Sequence, residues 1–419
     1  MTKSNGKSKP HPMPPFLTTP AVRRLFTTFP PDSLRVVGGA VRNHLLGEPI
    51  ADIDLATTLT PDAVIATLEA AKIRHIPTGL AHGTITAIID SKPYEITSLR
   101  RDVATDGRRA TVAYTTDWAE DAERRDFTMN ALYMDADGTL HDPTGQGEAD
   151  ARACRLRFVG DADTRVREDY LRTLRFFRFM AHYSGNAAVD RDALRAIREN
   201  VSGLKTLSAE RVWAELKRLL SAPDPSRAVR VMGEQGVLET LLPEASNTEG
   251  LTRYIQLERR ESLPLDPLRR LMAMSTRLPL SMLTLARRLK LSNLEANRLK
   301  AWADSTTDIK HLTDPVTPDR KRLAAIYTEG KAVIMDRAIL RAAGEDDAMK
   351  SAYFMSLVDL AMGWTPPEFP VTGRDLKTIG IPAGEGMGRT LKALEALWIR
   401  SGFATEKPQL LAAAKLLGG

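Results

Sequence analysis

The chain is poor in cysteine, in aromatic residues and in long apolar runs. A single cysteine, Cys154, among 419 residues excludes an intrachain disulfide and a cysteine-built metal cluster; it suits a reducing compartment, here read as the cytoplasm. Seven histidines (His11, His44, His75, His82, His141, His182, His311) fall singly, without an HExxH or a paired zinc spacing. No apolar run approaches the roughly 20 residues that a bilayer crossing needs, so no membrane partner is expected. Residues 1–20 are rich in Lys, Ser and Pro and lack an apolar core. They read as a flexible N-terminal arm rather than a signal peptide, settling into a helix near Ala21. Neither a Walker A loop nor GxGxxG occurs, no repeat of fixed period is visible, and the C-terminus has no long Lys/Arg-rich tail. No protein partner is evident.

What is present is helix-forming and basic. Aromatics are only 6% while Leu, Ala and Arg abound, which tilts the chain toward helix. A formal net charge of +6 favours a polyanion such as nucleic acid, though an ordinary soluble surface carries as much. The length exceeds one core, so two or more domains are expected. Between Leu34 and Tyr133 short strands alternate with helices: strands at Leu34–Val37, Asp52–Ala56, Thr84–Ile89 and Tyr94–Leu99, helices at Ala40–Leu46 and Pro61–Ala71, and a strand or helix-to-strand segment at Phe127–Met134. Beyond Gly147 nearly every periodic segment is helical, from Asp163–Tyr183 to Gly388–Ser401. One, Asp266–Thr276, opens on a capping Asp and a first-turn Pro. The expected class is α+β: a small α/β head with a mixed sheet and flanking helices at 21–147, then an all-α neck at 148–220 and an all-α body and tail at 221–419.

The head holds the most informative residues. Leu34-Arg-Val-Val-Gly-Gly-Ala-Val-Arg42 reads as strand, Gly38-Gly39 turn and helix start, whose free N–H groups favour a phosphate. Then comes Ala51-Asp-Ile-Asp-Leu55. Residues two apart on a strand share a face, so Asp52 and Asp54 would stand together, and like charges so placed call for a cation. Hard oxygens in this layout suit Mg²⁺ bound with substrate phosphates; the plainer reading is a polar edge strand. Glu95 on the strand Tyr94–Leu99 is a third carboxylate for the same metal, or a surface residue. Asp169, Arg172, Arg175 and Arg178 recur every third residue and form one stripe of a helix, interleaved with Phe176, Phe177 and Phe179 that bring it close to packed surface.

Taken in order, Gly38-Gly39-x-Val41-Arg42, Asp52-x-Asp54, Arg124-Arg-Asp-Phe-Thr-Met-Asn-Ala131, Asp142-Pro-x-Gly145, Arg157-Phe-Val-Gly-Asp161 and Glu168-Asp-Tyr-Leu-Arg172 resemble the motifs of the class II polymerase-β-like nucleotidyltransferases. That branch contains the tRNA nucleotidyltransferases (CCA-adding enzymes) and bacterial poly(A) polymerases. The resemblance implies a polymerase-β-like head and template-independent, Mg²⁺-dependent nucleotidyl transfer with release of pyrophosphate. It implies that Asp52 and Asp54 bind metal, two ions in all. Gly38, Gly39 and Arg42 then contact the triphosphate, and Arg125 and Asp126 lie near the ribose or phosphates, with Arg124 structural. Asp169 and Arg172 read the base edge of CTP or ATP, and Arg175 and Arg178 hold the nucleotide. Glu210 and Arg211 are expected as structural ion-pair partners. Three features lean toward CCA addition to the 3′ end of tRNA, the enzyme binding that end and the acceptor/TΨC arm: Thr78-Gly-Leu-Ala-His-Gly-Thr84, which resembles the tRNA enzymes; Asp102–Asp117, which resembles their full-length flexible loop; and the absent basic tail. Poly(A) addition, CC-only or A-only addition, an inactive RNA-binding protein and a small-molecule nucleotidyltransferase are the rivals. Arg374 and Arg389, near exposed glycines, are candidate RNA-backbone contacts.

Overall fold

The computed structural model describes residues 13–106, 109–185 and 187–417. The chain divides into two compact units, Met1–Leu241 and Leu242–Gly419. Unit 1 joins the head to the neck helices, and it runs past the boundary expected at 220. The reason is packing: helices Ser226–Glu234 and Val237–Leu241 lie against neck elements.

The head sheet has nine strands to draw on. β1 is Leu34–Val37, β2 Asp54–Thr57, β3 Arg74–Gly79, β4 Thr84–Ile89, β5 Lys92–Ser98, β6 Arg100–Asp106, β7 Arg109–Tyr114, β8 Tyr133–Met134 and β9 Leu140–His141. Seven form one mixed sheet in the order β3-β4-β5-β2-β1-β8-β9, and β6 and β7 form a separate hairpin. Every pairing in the large sheet is antiparallel except β2 with β5. The centre is apolar: Val36, Leu55, Ile85 and Ile96 are fully buried, which is what β-branched and leucine residues at alternate positions produce.

Several expectations shift. Asp52 lies outside β2, which begins at Asp54, because β1 ends opposite it at Val37 and then turns away, leaving no ladder partner for Asp52. β3 was hidden by its polar sequence: it is an edge strand paired only with β4, exposed along most of its length, and so tolerates Pro77. The polar turn before β5 shrinks to Asp90 and Ser91, both at positive φ (50° and 62°), so Lys92 and Pro93 join the strand. The segment expected as a flexible loop at Asp102–Asp117 is largely the β6–β7 hairpin and the start of a helix; Gly107 and Arg108 lie outside the described residues. In the expected arm, residues 1–12 are likewise outside them, but Pro15–Thr18 is a 3₁₀ turn with Phe16 and Leu17 buried, and helix α1, Pro20–Thr28, follows at once.

Two further helices flank the sheet, α2 (Gly39–Leu46) and α3 (Pro61–Ala70). Helix α4 (Trp118–Glu123) still belongs to the head, and the neck comprises α5 (Gly147–Arg152), α6 (Ala162–Glu168), α7 (Leu171–Phe179), α8 (Arg191–Glu199) and α9 (Ala209–Leu220). The single helix expected at Asp163–Tyr183 is thus three pieces: α6, α7 and a π-helical turn at Met180–Ser184. The break falls at Asp169, whose φ of −151° is extended and whose carboxylate takes the Leu171 N–H at 3.1 Å, capping α7 locally. Phe127, Phe158, Phe176 and Phe179 pack ring on ring between head and neck, with centroids 5.1–6.2 Å apart for the contacting pairs.

Unit 2 is helical among the described residues, from Thr248–Arg260 to Lys407–Leu417. Its interior includes paired charges. Asp336 is fully buried and accepts from Arg269 and Arg298 at 2.7 Å each, and buried Arg270 meets Glu258. Asp266 caps Pro267–Met274 as expected, accepting from the Leu268 and Arg269 N–H groups.

One close approach yields a test. A methyl group at Gly203 would fall 2.1 Å from the Tyr170 ring, and Tyr170 cannot move without disturbing the break at Asp169. Gly203→Ala should therefore cost about 1–3 kcal/mol through overpacking. Gly386→Ala, inside a helix with nothing within 4 Å, should instead stabilise by about 0.5–1 kcal/mol. Calorimetric unfolding of both variants reads the contrast; a Gly203→Ala protein as stable as the parent would mean that Tyr170 does not rest there.

Candidate active site

The sheet register brings the carboxylates together. Val37 pairs with Asp54, and β2 runs parallel to β5 with Leu55 beside Ile96. Leu55 and Ile96 point into the core, so Asp54 and Glu95, one residue earlier in each strand, share the opposite, open face. Asp52 is exposed just upstream. Asp54 opens to solvent on one side, yet its carboxyl is pushed above the usual carboxylate range. The first cause is the hydration lost where protein packs behind it; the negative charges of Glu95 and then Asp52 add to this, and Arg125 opposes. Such crowded hard oxygens fit a divalent cation of the Mg²⁺ kind. Among the described residues no three His, Cys, Asp or Glu side chains form a cage able to hold an ion. A cation here must complete its shell with other oxygens, as Mg²⁺ does with phosphates.

The glycine turn lies beside Asp54. Gly38 has φ of 67°, a left-handed conformation that glycine adopts without strain, and its N–H donates to the Leu132 carbonyl at 3.0 Å. Helix α2 then starts at Gly39 with no side chain capping its first N–H groups. Those amides are free for an anion.

Arg42, expected at the triphosphate, is buried instead. Nη1 donates to Asn130 Oδ1 at 2.5 Å, Nη2 to Tyr183 Oη at 2.8 Å and to Asn43 Oδ1 at 2.9 Å, and the guanidinium sits 4.2 Å from the Tyr183 ring centroid. Three polar partners within reach hold it inward. Asp126, expected near the ribose or phosphates, is also buried: its carboxylate accepts from Arg175 Nε at 2.8 Å, from Asn130 Nδ2 at 3.1 Å and from the Phe127 N–H at 2.9 Å.

Arg125 faces the glycine turn, with Nη1 3.8 Å from where a Gly38 Cβ would stand. It is held by a residue that sequence reasoning missed. Asp121, 1% exposed, accepts from Arg124 Nε at 2.8 Å, from Arg125 Nη2 at 2.9 Å and from Tyr133 Oη at 2.7 Å. The signal was available: Asp121 precedes Arg124 and Arg125 by three and four residues, the spacing at which helical neighbours meet. Arg124 turns its guanidinium onto Asp121.

The neck residues engage separate partners. Asp169 accepts from Arg211 Nη2 at 2.8 Å, so Arg211 reaches the neck carboxylate as well as lying beside Glu210 in sequence. Arg172 meets Glu168, donates to the Arg165 carbonyl at 3.0 Å and to the Arg124 carbonyl at 3.3 Å. Arg178 lies 2.8 Å from buried Glu215 and 4.6 Å from the Phe179 ring centroid. Asp169 sits at the break and not on the helix, so only Arg172, Arg175 and Arg178 share α7. In unit 2, Arg374 is exposed on Gly373–Thr378, and Arg389 is 78% exposed on Glu385–Arg400, 3.9 Å from Glu385.

Burial alone would raise the Asp126 carboxyl, but the Arg175 guanidinium, with hydrogen bonds from Asn130 and Phe127, outweighs it and holds the group below the ordinary carboxylate range. Burial likewise opposes, and Arg125 and Arg124 win, at Asp121. A depressed folded-state value gives stability that is complete above the unfolded value of about 3.9 and is lost as pH falls through the lower folded value. Unit 1 should therefore lose stability on acidification below about pH 4. Asp126→Asn should be less stable at pH 7 and should show a shallower loss in that window by circular dichroism; an unchanged acid profile would break the assignment.

The chain was compared with known proteins. The Poly A polymerase head domain family matches residues 34–157, and a family described as the probable RNA and SrmB-binding site of polymerase A matches 188–248. The mitochondrial CCA tRNA nucleotidyltransferase 1 of Danio rerio is 36% identical over 391 residues, covering 90% of this chain and 86% of that protein. The Homo sapiens counterpart is 35% identical over 388 residues, covering 91% and 86%. A crystal structure of the Bacillus stearothermophilus CCA-adding enzyme in complex with CTP superposes with a TM-score of 0.67 at 27% identity, covering 91% of this chain and 92% of that one.

Proposed function

Because this chain belongs to the family of CCA tRNA nucleotidyltransferases, we propose that it adds C, C and A to the 3′ end of tRNA from CTP and ATP, without a template. The observation that carries the reading is the convergence, within unit 1, of the Asp54–Glu95 carboxylates, the uncapped amides of α2 and the arginine-bearing helix α7. The relatives named as CCA-adding enzymes, one bound to CTP, another to ATP and another to tRNA, support the substrates.

Asp52 and Asp54 would hold Mg²⁺ together with oxygens of the substrate phosphates, and Glu95 would add negative charge beside them. When bound, the ion supplies activation of the RNA 3′-hydroxyl and charge stabilisation on the transferring phosphate. The chain's own groups do the rest. The amides that open α2, from Gly39 onward, bind the triphosphate, while the Gly38 N–H stays on the Leu132 carbonyl and shapes the turn; Arg125, fixed by Asp121, adds a positive charge beside them. Arg42 acts from inside, tying α2 to Asn130 and Tyr183 so that the turn keeps its place. Asp169 and Arg172 offer an acceptor and a donor for the base edge, standing in for a template base. Reading a base requires Asp169 to share or leave Arg211, and Arg172 to share or leave Glu168. Arg175 and Arg178 bring charge close to the nucleotide while anchored on Asp126 and Glu215. Among the described residues no helix is long and apolar enough to cross a membrane. A single thiol suits a reducing compartment such as the cytoplasm; the Danio rerio and Homo sapiens relatives are named as mitochondrial.

The test uses transcripts ending before CCA, after C and after CC, with CTP, ATP or both, resolved to single nucleotides. Growth that needs CTP first and stops at CCA supports the reading; long A tails on any RNA make the protein a poly(A) polymerase instead. Asp54→Ala should lower kcat by about 10²–10³-fold, the order expected when a charge-stabilising group is lost, with the fold intact. Near-normal turnover would remove the metal assignment.

A further inference from the structure

The arginines in unit 2 are, for the most part, neutralised in place. Arg269 and Arg298 share Asp336 at 2.7 Å, Arg253 meets Asp346 at 2.7 Å, and Arg341 meets Glu345 at 2.6 Å. One cavity breaks this pattern. It has a volume of about 380 Å³ and is lined by Arg277, Lys310 and Arg337, with Trp302 and Arg341 also on its wall. That volume is within the range of small-ligand sites.

None of the three cations has a carboxylate partner within ion-pair distance among the described residues. Arg277 Nη1 donates to the Ser305 carbonyl at 2.7 Å and to the Trp302 carbonyl at 3.2 Å, at the C-terminal end of helix Asn293–Asp304. This fixes the guanidinium without cancelling its charge. Arg337 Nη1 donates to Ser305 Oγ at 2.6 Å, so one hydroxyl and its own carbonyl hold two arginines side by side. The acid on the wall, Asp308, caps the next helix: its Oδ1 accepts from the Lys310 and His311 N–H groups at 3.0 and 3.2 Å, and its one negative charge faces three cations without pairing with any of them. Burial first, and then the like charge of Arg277, makes the Arg337 cation costlier, while Glu329 and Asp308 only partly offset this. A preorganised excess of positive charge in a cavity is an anion receptor, and planar guanidinium forks match phosphate oxygens.

We infer that unit 2 carries a phosphate-binding cavity of its own, formed by Arg277, Lys310 and Arg337. The phosphate belongs either to an RNA backbone or to a free oligophosphate. Only the first source rests on the function proposed above.

The experiment compares the full chain with Lys310→Gln/Arg337→Gln. Binding of a tRNA transcript is titrated over a range of salt, and inorganic pyrophosphate is titrated calorimetrically without Mg²⁺. For an RNA phosphate, the double variant should bind tRNA about tenfold more weakly and lose up to about two from the salt slope, since each neutralised phosphate contributes close to one. For a free anion, tRNA binding is unchanged and one equivalent of pyrophosphate is lost. No change in either titration overturns the cavity assignment. Lys310→Gln alone, at an exposed position, should show part of the same loss if the double variant misfolds. Arg341→Gln, already neutralised by Glu345, should change neither titration; a loss equal to that of the double variant would also overturn the assignment. Because kcat at saturating tRNA should stay at the parent value in the double variant, failure here is distinguishable from failure of the nucleotidyl-transfer reading.

Discussion

The arrangement of unit 1 depends on the buried carboxylate of Asp126. It sits in the segment that leads from α4 to β8, and it accepts from Arg175 on α7 and from Asn130. Asn130 in turn accepts from Arg42 on α2, and Arg42 donates to Tyr183 in the π-helical turn beyond α7. The helix that opens at the glycine turn and the helix that carries the arginines are therefore tied through one chain of charge-assisted hydrogen bonds. Removing one buried partner from such a chain leaves its neighbour's charge uncompensated, a cost of about 3–5 kcal/mol where pairs are fully buried. The phenylalanine cluster beside it adds apolar contact but little direction. The polar chain supplies the direction, since hydrogen bonds lose strength quickly when bent.

The head was largely legible in the sequence, for physical reasons that vary by element. β1 and β4 were bounded as observed because their apolar runs stop at Gly38 and at the Asp90-Ser91 turn. β3 was not legible, since an edge strand with two solvent-facing sides carries no alternation. The β6–β7 hairpin was missed likewise: its residues read as a connection, and it is the backbone pairing that defines it. At the site, the strand register sets Asp54 and Glu95 on one face, and Arg125 stands beside Gly38. The inward turn of Arg42 and Asp126 was invisible because a charged residue is expected at the surface unless its partner is known, and Arg175 lies 49 positions away. Asp121 was overlooked although its helical spacing to two arginines was in plain view.

Unit 2 illustrates how charge can serve two ends with the same residue types. Where an arginine and a carboxylate meet away from water, as at Asp336, the pair fixes which helices are neighbours. Where arginines gather around backbone carbonyls and a serine hydroxyl, as at Ser305, position is fixed but charge remains. The distinction is not visible in composition, which counts both alike.

The strand β2 lies between β1 and β5, hydrogen-bonded on both sides. Asp54 therefore cannot drift without breaking two ladders, whereas Asp169 and Arg172 stand on a kinked helical segment outside the sheet. On the proposed function, chemistry and choice of base are carried by separate pieces of backbone. Substitutions around the kink would then retune which nucleotide is accepted while the carboxylates stay where they are, so that one rigid floor could underlie enzymes that write different ends.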